Sequence, residues 1–274
     1  MSWVCLMFHD VLPATEASGG GAERFAVPVT AFERWLDTIK DAEFAGCSVA
    51  TAVATPDRRR VAISFDDGTR SQFDHAVPAL RARGMTATFY VTTDWIGRSG
   101  YMTWDELRQL TAWGMSVQSH TRSHRFLSEL SDDALRDELA GSKAVLDAEL
   151  AQNTAELSFP GGNAPRRRWR VRLWEAGYRR VAGSRWGRNP DDAPPSRWIR
   201  RCTARGSASP AEMRRVLAGD PWLTLTRYPR EAALNGVRAA LGASRYERWR
   251  RRVLDAFRPG SGPTGPRAGR TRGA

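Results

Sequence analysis

Apolar and polar residues alternate along the chain in blocks that predict strands followed by helices. Short apolar runs at 3–8, 61–65 and 86–91 are typical of buried strands. Over 29–45 the apolar residues recur at the spacing of an amphipathic helix. Later segments repeat the alternation, with helices at 72–83 and 103–113, one of about twenty residues after Ser131 and one from Pro165 to Gly177, and with strands at 115–118 and 157–159. This order predicts an α/β fold with a parallel sheet or barrel.

The alternation weakens after about residue 190. This part contains two candidate strands and two candidate helices, at 198–203, 222–226, 209–219 and 229–257. The tail at 258–274 is rich in Gly, Pro and Arg and has no apolar face, so we expect it to be disordered. With no internal repeat, the sequence predicts a single domain over 1–257.

Polar side chains collect directly after the predicted strands. His9 follows the first strand, Asp66 and Asp67 follow the strand at 61–65, and His120 follows the strand at 115–118. In parallel α/β folds the carboxyl ends of the strands form the edge where ligands and catalytic groups lie. We therefore expect a functional site at this edge.

Two of these groups have the chemistry of a metal site. His120 and His124 are four residues apart, so both imidazoles can reach one ion. Asp66 and Asp67 are adjacent carboxylates, which repel each other unless a cation or hydrogen bonds compensate. Two histidines and one carboxylate leave coordination positions open, as a hydrolytic metal requires. The alternative is a hydrogen-bonded loop cluster without metal.

Three segments together carry a family resemblance. They read ISFDDG at 63–68, TATFYV at 86–91 and HTRSH at 120–124. In this order and spacing they resemble the polysaccharide deacetylases that share the NodB homology domain, carbohydrate esterase family 4, over roughly residues 1–205. The resemblance implies a distorted (β/α) barrel. It also implies a hydrolase that removes N-acetyl groups from an N-acetylhexosamine-containing polysaccharide, such as an exopolysaccharide, or from a lipid-linked sugar.

The resemblance also implies roles for individual residues. Asp66 would be the general base, and Asp67, His120 and His124 would hold one divalent metal ion. Zinc suits this set best, although nickel, cobalt or iron would also fit. A backbone N–H near Gly161 would help to stabilise the oxyanion.

Two departures from the family pattern affect the proposed chemistry. Ser158 stands where the family often has an Arg that orients the base, and Arg201 is the candidate replacement. No histidine follows His124, so the usual general acid is absent. His9 on the first strand resembles the acid of a circularly permuted branch that includes poly-N-acetylglucosamine deacetylases, and Asp10 would orient His9 or bind sugar.

The charge of the chain allows several partners. The formal net charge is +12, and only Lys40 and Lys143 among 42 basic residues are lysines. Such a protein can attract nucleic acid, an anionic membrane or an anionic polymer, and a solvated Arg-rich surface is the simpler interpretation. No nucleic-acid-binding motif is visible. We expect a carbohydrate partner, with an anionic membrane surface or lipid-linked glycan as a further possibility and no specific nucleic acid.

Other features limit the class of protein. Cys5, Cys47 and Cys202 include no CxxC pair and are expected in the core. No signal peptide and no apolar run of roughly 18 residues is visible, which favours a cytoplasmic location. Trp95 and Trp186 fall in predicted loops and are candidate sugar contacts.

One alternative function remains open at this point. A non-catalytic carbohydrate-binding relative would keep the fold and the metal but lack turnover. The substitution of the family Arg by Ser158 and the displaced acid both allow this interpretation. Acetate release would distinguish an enzyme from such a binding protein.

Overall fold

The computed structural model describes residues 2–16, 26–56, 59–162, 167–191, 197–223, 225–226 and 245. The strands within these ranges are β1 (Ser2–Phe8), β2 (Val11–Leu12), β3 (Val27–Pro28), β4 (Ala45–Cys47), β5 (Arg60–Phe65), β6 (Thr88–Val91), β7 (Ser116–Ser119), β8 (Glu156–Ser158), β9 (Arg180–Ala182), β10 (Asn189–Pro190), β11 (Arg197–Ile199) and β12 (Cys202–Thr203). The helices are α1 (Val29–Asp41), α2 (Val49–Ala54), α3 (Val77–Arg81), α4 (Trp104–Ala112), α5 (Asp132–Arg136), α6 (Ser142–Leu150), α7 (Arg167–Glu175) and α8 (Pro210–Leu217).

The main sheet curls into a nearly closed barrel. From β1 it runs in parallel through β5, β6, β7, β8 and β9 to β11. β12 then pairs in parallel with β1, with Leu6 opposite Cys202. β4 adds to β5, and β10 lies antiparallel to β1. The predicted distorted (β/α) barrel is therefore confirmed.

The strands place different side chains on their two faces. Phe65 stacks on Phe89 with ring centroids 4.8 Å apart, and Phe8 meets Phe32 of α1 edge-on at 5.0 Å. These rings fill the space between the barrel and its helices. Because side chains alternate along a strand, neighbours such as Ser64 face the barrel interior. The interior is consequently more polar than the layer under the helices.

Several predicted elements differ from those observed. The helix predicted over 29–45 ends at Asp41, because residues 45–47 pair with β5. The helices predicted at 72–83 and after Ser131 contain π-helical turns at Gln72–Ala76 and Asp137–Gly141. The strand predicted at 198–203 is two strands, separated at Arg200 and Arg201.

The strand predicted at 222–226 is wrong. Its described residues, 222, 223, 225 and 226, are helical. Asp220 explains the difference, because its carboxylate accepts a hydrogen bond from the Trp222 N–H at 2.8 Å and so caps a helix start. The helix predicted at 229–257, apart from residue 245, and the tail at 258–274 lie outside the described residues, so the domain limits stay a prediction.

The three cysteines lie where the sequence placed them, as free thiols in the buried part of the fold. Among the described residues, no helix has both the length and the apolar character needed to cross a membrane.

Thr103 and Glu106 give a testable prediction about the start of α4. The Thr103 hydroxyl accepts from the Glu106 N–H at 3.3 Å, and the Glu106 carboxylate accepts from the Thr103 N–H at 2.8 Å. Thr103→Ala removes one half of this capping box and should lower the free energy of unfolding by about 1 kcal/mol in a urea titration. Gln109→Ala, on the exposed face of the same helix, is the control and should change stability by less than about 0.5 kcal/mol. Equal effects of the two changes would contradict the capping role.

Candidate metal centre and active site

The barrel brings three candidate ligands together at the carboxyl ends of its strands. β5 leads into Asp67, β7 leads into His120, and His124 lies in the loop that follows β7. The Nε2 atoms of His120 and His124 are each 3.3 Å from Oδ1 of Asp67. One ligand atom from each residue lies within 4.8 Å of the other two. The three side chains can therefore reach a single ion.

The donor atoms also fit a metal ion chemically. Oδ1 of Asp67 is buried, and no hydrogen bond satisfies it among the described residues, although both imidazoles are close. Nδ1 of His120 is 2.9 Å from the Ser158 carbonyl oxygen, which can only accept, so Nδ1 carries the proton. Nε2 is then the atom that faces the cluster, as in most metal-ligating histidines.

Backbone conformation at the site is unusual for residues with side chains. Asp67, Thr121 and His124 have positive φ angles of 76°, 69° and 61°. Gly68 follows with φ 76°, and a Cβ there would lie 2.8 Å from Cγ1 of Val91. Left-handed conformations at non-glycine residues cost about 1–3 kcal/mol each and persist only where surrounding contacts hold them. The turn geometry of both ligand segments is thus imposed by its surroundings.

Arg201 holds the second carboxylate of the pair. Its guanidinium binds Asp66 through two hydrogen bonds, of 2.6 Å to Oδ1 and 2.7 Å to Oδ2. The same group donates to Oγ of Ser158 at 2.8 Å and to the Gly183 carbonyl at 2.8 Å. The side chains of Arg201 and Asp66 are 0% and 4% exposed. Position 158, where the family pattern leads us to expect an Arg, holds a serine. Arg201 makes the contact with Asp66 instead and also binds that serine.

This ion pair determines the charge of Asp66. Burial alone would raise the pKa of Asp66, but the charge of Arg201, followed by that of His120, holds this pKa below its ordinary value. In an unfolded chain Asp titrates at about pH 3.9. Ionised Asp66 therefore stabilises the fold above that pH, and the stabilisation is lost as the pH falls through the lower folded-state pKa. The carboxylate is ionised at neutral pH.

The candidate ligands influence each other in the same way. Burial alone would raise the pKa of Asp67, but the imidazoles of His120 and then His124 lower it well below the ordinary value. Burial alone would lower the pKa of His120, whereas Asp66 and then Asp67 raise it. A metal ion at Nε2 must compete with a proton, so metal affinity should fall as the pH falls.

His9 lies beside this group at the end of β1. The Asp66 N–H donates to the Phe8 carbonyl oxygen at 3.1 Å, so His9, the residue after Phe8, lies beside the start of the Asp66–Asp67 pair. The Gln72 side-chain amide donates to the backbone carbonyls of His9 at 3.1 Å and Asp66 at 2.6 Å. Gln72 thereby ties the end of β1 to the end of β5. Oδ1 of Asp10 accepts from Ser71 at 2.7 Å.

The remaining candidate residues have different positions. Gly161 lies in the turn after β8, with left-handed φ 71°. The half-buried Trp95 ring is 4.8 Å from the His124 ring and 4.9 Å from that of Tyr101, so an aromatic wall borders the ligands. Trp186 is only 5% exposed and belongs to the core. Its prediction as a sugar contact is wrong, because its loop folds inward against the barrel.

Comparison with known proteins finds a family that the chain resembles. Residues 54–181 match the family model for polysaccharide deacetylase, a segment that contains Asp66, Asp67, His120 and His124. Over this segment, which is a little under half of the chain, the protein is similar to the polysaccharide deacetylase family. It is 30% identical over 167 residues to YxkH of Bacillus subtilis (strain 168), which is classed by name among the polysaccharide deacetylases, and the match covers 57% of this chain. The chain spans about half of that relative, since the match covers 56% of its length.

Solved structures of deacetylases share the fold. The Streptococcus pyogenes deacetylase PplD, in complex with acetate, has a TM-score of 0.71 and 22% identity, and the match covers 79% of this chain and 98% of PplD. IcaB from Ammonifex degensii has a TM-score of 0.66 and 23% identity, with coverage of 79% and 96%. The Bacillus cereus polysaccharide deacetylase BC0361 has a TM-score of 0.71 and 18% identity, with coverage of 79% and 69%. The chain is therefore built on the same barrel.

The structure brings together five of the residues that the sequence named and adds two that it did not indicate. The structure groups Asp66, Asp67, His120, His124 and Arg201 as the sequence suggested. Gln72 was missed, because a single amide on a predicted helix carries no motif. Tyr101 was missed as well, since only the folded turn places it next to Trp95.

Arg201→Met tests the buried ion pair with Asp66. The change leaves the Asp66 carboxylate charged and unpaired inside the barrel, which should lower the free energy of unfolding by about 3–5 kcal/mol. Urea titration at pH 7 measures the loss. The double variant Asp66→Asn, Arg201→Met removes both charges and should recover at least about 1 kcal/mol of it. A double variant as unstable as the sum of the two single ones would show that the charges do not interact.

Proposed function

We propose that the protein is a metal-dependent hydrolase that removes N-acetyl groups from an N-acetylhexosamine-containing carbohydrate. The observation that carries the proposal is that two adjacent carboxylates have different partners. Asp67 faces the two imidazoles at 3.3 Å, whereas Asp66 is held and kept ionised by Arg201. One carboxylate is thus available as a ligand and the other as a base. The similarity to polysaccharide deacetylases supports carbohydrate deacetylation as the reaction class.

In this proposal Asp67, His120 and His124 hold one divalent ion. Two nitrogen donors and one oxygen donor suit zinc best, and nickel, cobalt or iron remain compatible. The bound ion supplies Lewis acidity to the acetamide carbonyl and lowers the pKa of water. The chain itself supplies the geometry, because β5 and β7 lead into the ligands at the carboxyl ends of the barrel strands.

Asp66 is the proposed general base. It accepts a proton from the water that attacks the acetamide carbonyl carbon. Arg201 fixes both carboxylate oxygens and keeps them ionised, so Asp66 is ready to accept at neutral pH. The N–H groups of the turn at Gly161 are proposed to stabilise the negative charge that develops on the carbonyl oxygen.

His9 is the proposed general acid. It donates a proton to the amide nitrogen as the carbon–nitrogen bond breaks, which gives acetate and a free amino sugar. Gln72 supports this role because it fixes the backbone of His9 relative to that of Asp66. Asp10, bound to Ser71, is proposed to orient the substrate or His9 from the same strand end.

The proposed substrate is a polysaccharide, such as an exopolysaccharide, or a lipid-linked sugar. The aromatic wall of Trp95 and Tyr101 borders the ligands and offers ring faces of the kind that pack against sugars. The similarity over residues 54–181 to the polysaccharide deacetylase family model supports such a substrate. An anionic membrane surface as an additional partner rests only on the basic charge of +12.

The alternative of a non-catalytic sugar-binding relative has lost one of its two supports. That hypothesis relied on Ser158 in place of an Arg that orients the base. Arg201 makes the equivalent contact with Asp66 and also binds Ser158. The geometry therefore favours catalysis over binding alone.

The first prediction of the proposal concerns the two proton-transfer groups. Asp66→Asn and His9→Ala should each lower acetate release from N-acetylglucosamine oligomers by roughly 100- to 10,000-fold, because each removes one general acid–base step. Both variants should still bind zinc. The controls are Asp74→Asn and His75→Ala, in the π-helical turn Gln72–Ala76 that follows Asp66 along the chain. Both should retain wild-type rates. If His9→Ala released acetate at the wild-type rate, another group would have to be the general acid.

The second prediction concerns the metal. Dialysis against a chelator should abolish acetate release, and one equivalent of zinc should restore it. Cobalt, nickel and iron, added in parallel, rank the metals by activity. Asp67→Asn should weaken zinc binding and lower activity at limiting zinc. Undiminished acetate release by protein in which mass spectrometry detects no bound metal would exclude the proposed mechanism.

A further inference from the structure

The loop between the two candidate histidine ligands is attached to a buried carboxylate. Glu138 accepts hydrogen bonds from the backbone N–H groups of Arg122 at 3.0 Å and Ser123 at 2.9 Å. The Ser123 hydroxyl also donates to this carboxylate. Glu138 is 4% exposed and lies in the π-helical turn Asp137–Gly141. A single side chain thus binds three donors of the loop.

The loop needs such a partner because its conformation is unfavourable on its own. Thr121 and His124, on either side of the attached residues, both have left-handed φ angles. Among the described residues the N–H groups of Arg122 and Ser123 bind no backbone carbonyl, and the Glu138 carboxylate is their acceptor. A charged acceptor makes stronger hydrogen bonds than a neutral one. Glu138 therefore offsets the strain of the loop directly.

The ends of the loop are fixed by neighbouring contacts. The Thr121 N–H donates to Ser119 Oγ at 3.1 Å, and the His124 N–H donates to Thr121 Oγ1 at 3.2 Å. Ser119 Oγ is 2.9 Å from Oγ of Ser142, which lies one turn after Glu138 in the same helical segment. The helical segment that contains the π turn thus binds the loop through Glu138 and binds the residue before it through Ser142. Such π-helical turns are frequent at functional sites.

We propose that Glu138 is a positioning residue for the metal centre. It holds the loop from His120 to His124 in the ligand arrangement before any metal binds, so the ion meets a preorganised site. Glu138 acts through the backbone of Arg122 and Ser123 and does not touch the ion. This inference rests on the proposed metal site. It predicts that loss of the carboxylate weakens metal affinity beyond any effect on stability.

The neighbouring Asp137 provides a matched control. It belongs to the same turn and contacts the same loop, but only through the guanidinium of Arg122, at 2.9 Å. Its side chain is 64% exposed. Ion pairs exposed to solvent contribute little to stability. A change at Asp137 removes a charge from the same helical turn and leaves the backbone attachment intact.

Zinc affinity of the purified protein tests the proposal. Glu138→Gln keeps the size of the side chain but replaces one acceptor oxygen by a donor, and it should raise the zinc Kd about 10- to 100-fold in a competition titration with a chromophoric chelator. Asp137→Asn should change the Kd less than about 2-fold, as should Thr103→Ala, which weakens the fold elsewhere. A wild-type Kd for Glu138→Gln would overturn the proposal, and so would an equal increase in all three variants.

Hydrogen exchange in metal-free wild-type protein gives a reading that does not depend on the folding of any variant. The proposal expects the amides of Arg122 and Ser123 to be protected before zinc is added. Exchange of these amides at the rate of an unstructured peptide would overturn it. Because neither measurement uses substrate, a protein that binds zinc but releases no acetate would contradict the proposed reaction without deciding the role of Glu138.

Discussion

The rest of the site depends on the buried ion pair between Asp66 and Arg201. A lone carboxylate inside the barrel would take up a proton, since burial disfavours its charged form. The two-point contact with Arg201 reverses this preference and also fixes the direction of both oxygens. Asp67, the next residue, then turns away toward the imidazoles through its left-handed backbone. Two carboxylates adjacent in sequence thereby acquire different environments and can serve different purposes.

The sequence predicts the local parts of this arrangement well. Alternating apolar runs predict the barrel strands, and the motif at 63–68 followed by the histidine pair at 120–124 predicts the ligands, because these signals are carried by neighbouring residues. The contact between Arg201 and Asp66 joins residues far apart in sequence. It was named only because Ser158 left the family pattern incomplete, and no spacing rule could have required it.

The errors have physical causes that sequence patterns do not contain. The segment at 222–226 has the apolar and β-branched composition of a strand, but Asp220 caps it as a helix. Trp186 lies in a loop between short strands, yet the packing of that loop against the barrel buries it. Glu138 looks like an ordinary polar position of an amphipathic helix. Only the folded loop of His120 and His124 shows that its carboxylate faces backbone donors.

The pairing of β1 with β12 determines when, during synthesis and folding, the site can be completed. The first strand delivers His9 and the last strand of the barrel delivers Arg201, whereas Asp66 is made early in synthesis. A nascent chain that has not reached residue 201 therefore holds the carboxylate without the cation that keeps it ionised. The step that pairs β12 with β1 and closes the sheet also brings Arg201 to Asp66. The proposed base is therefore held in its ionised form only once the barrel is complete.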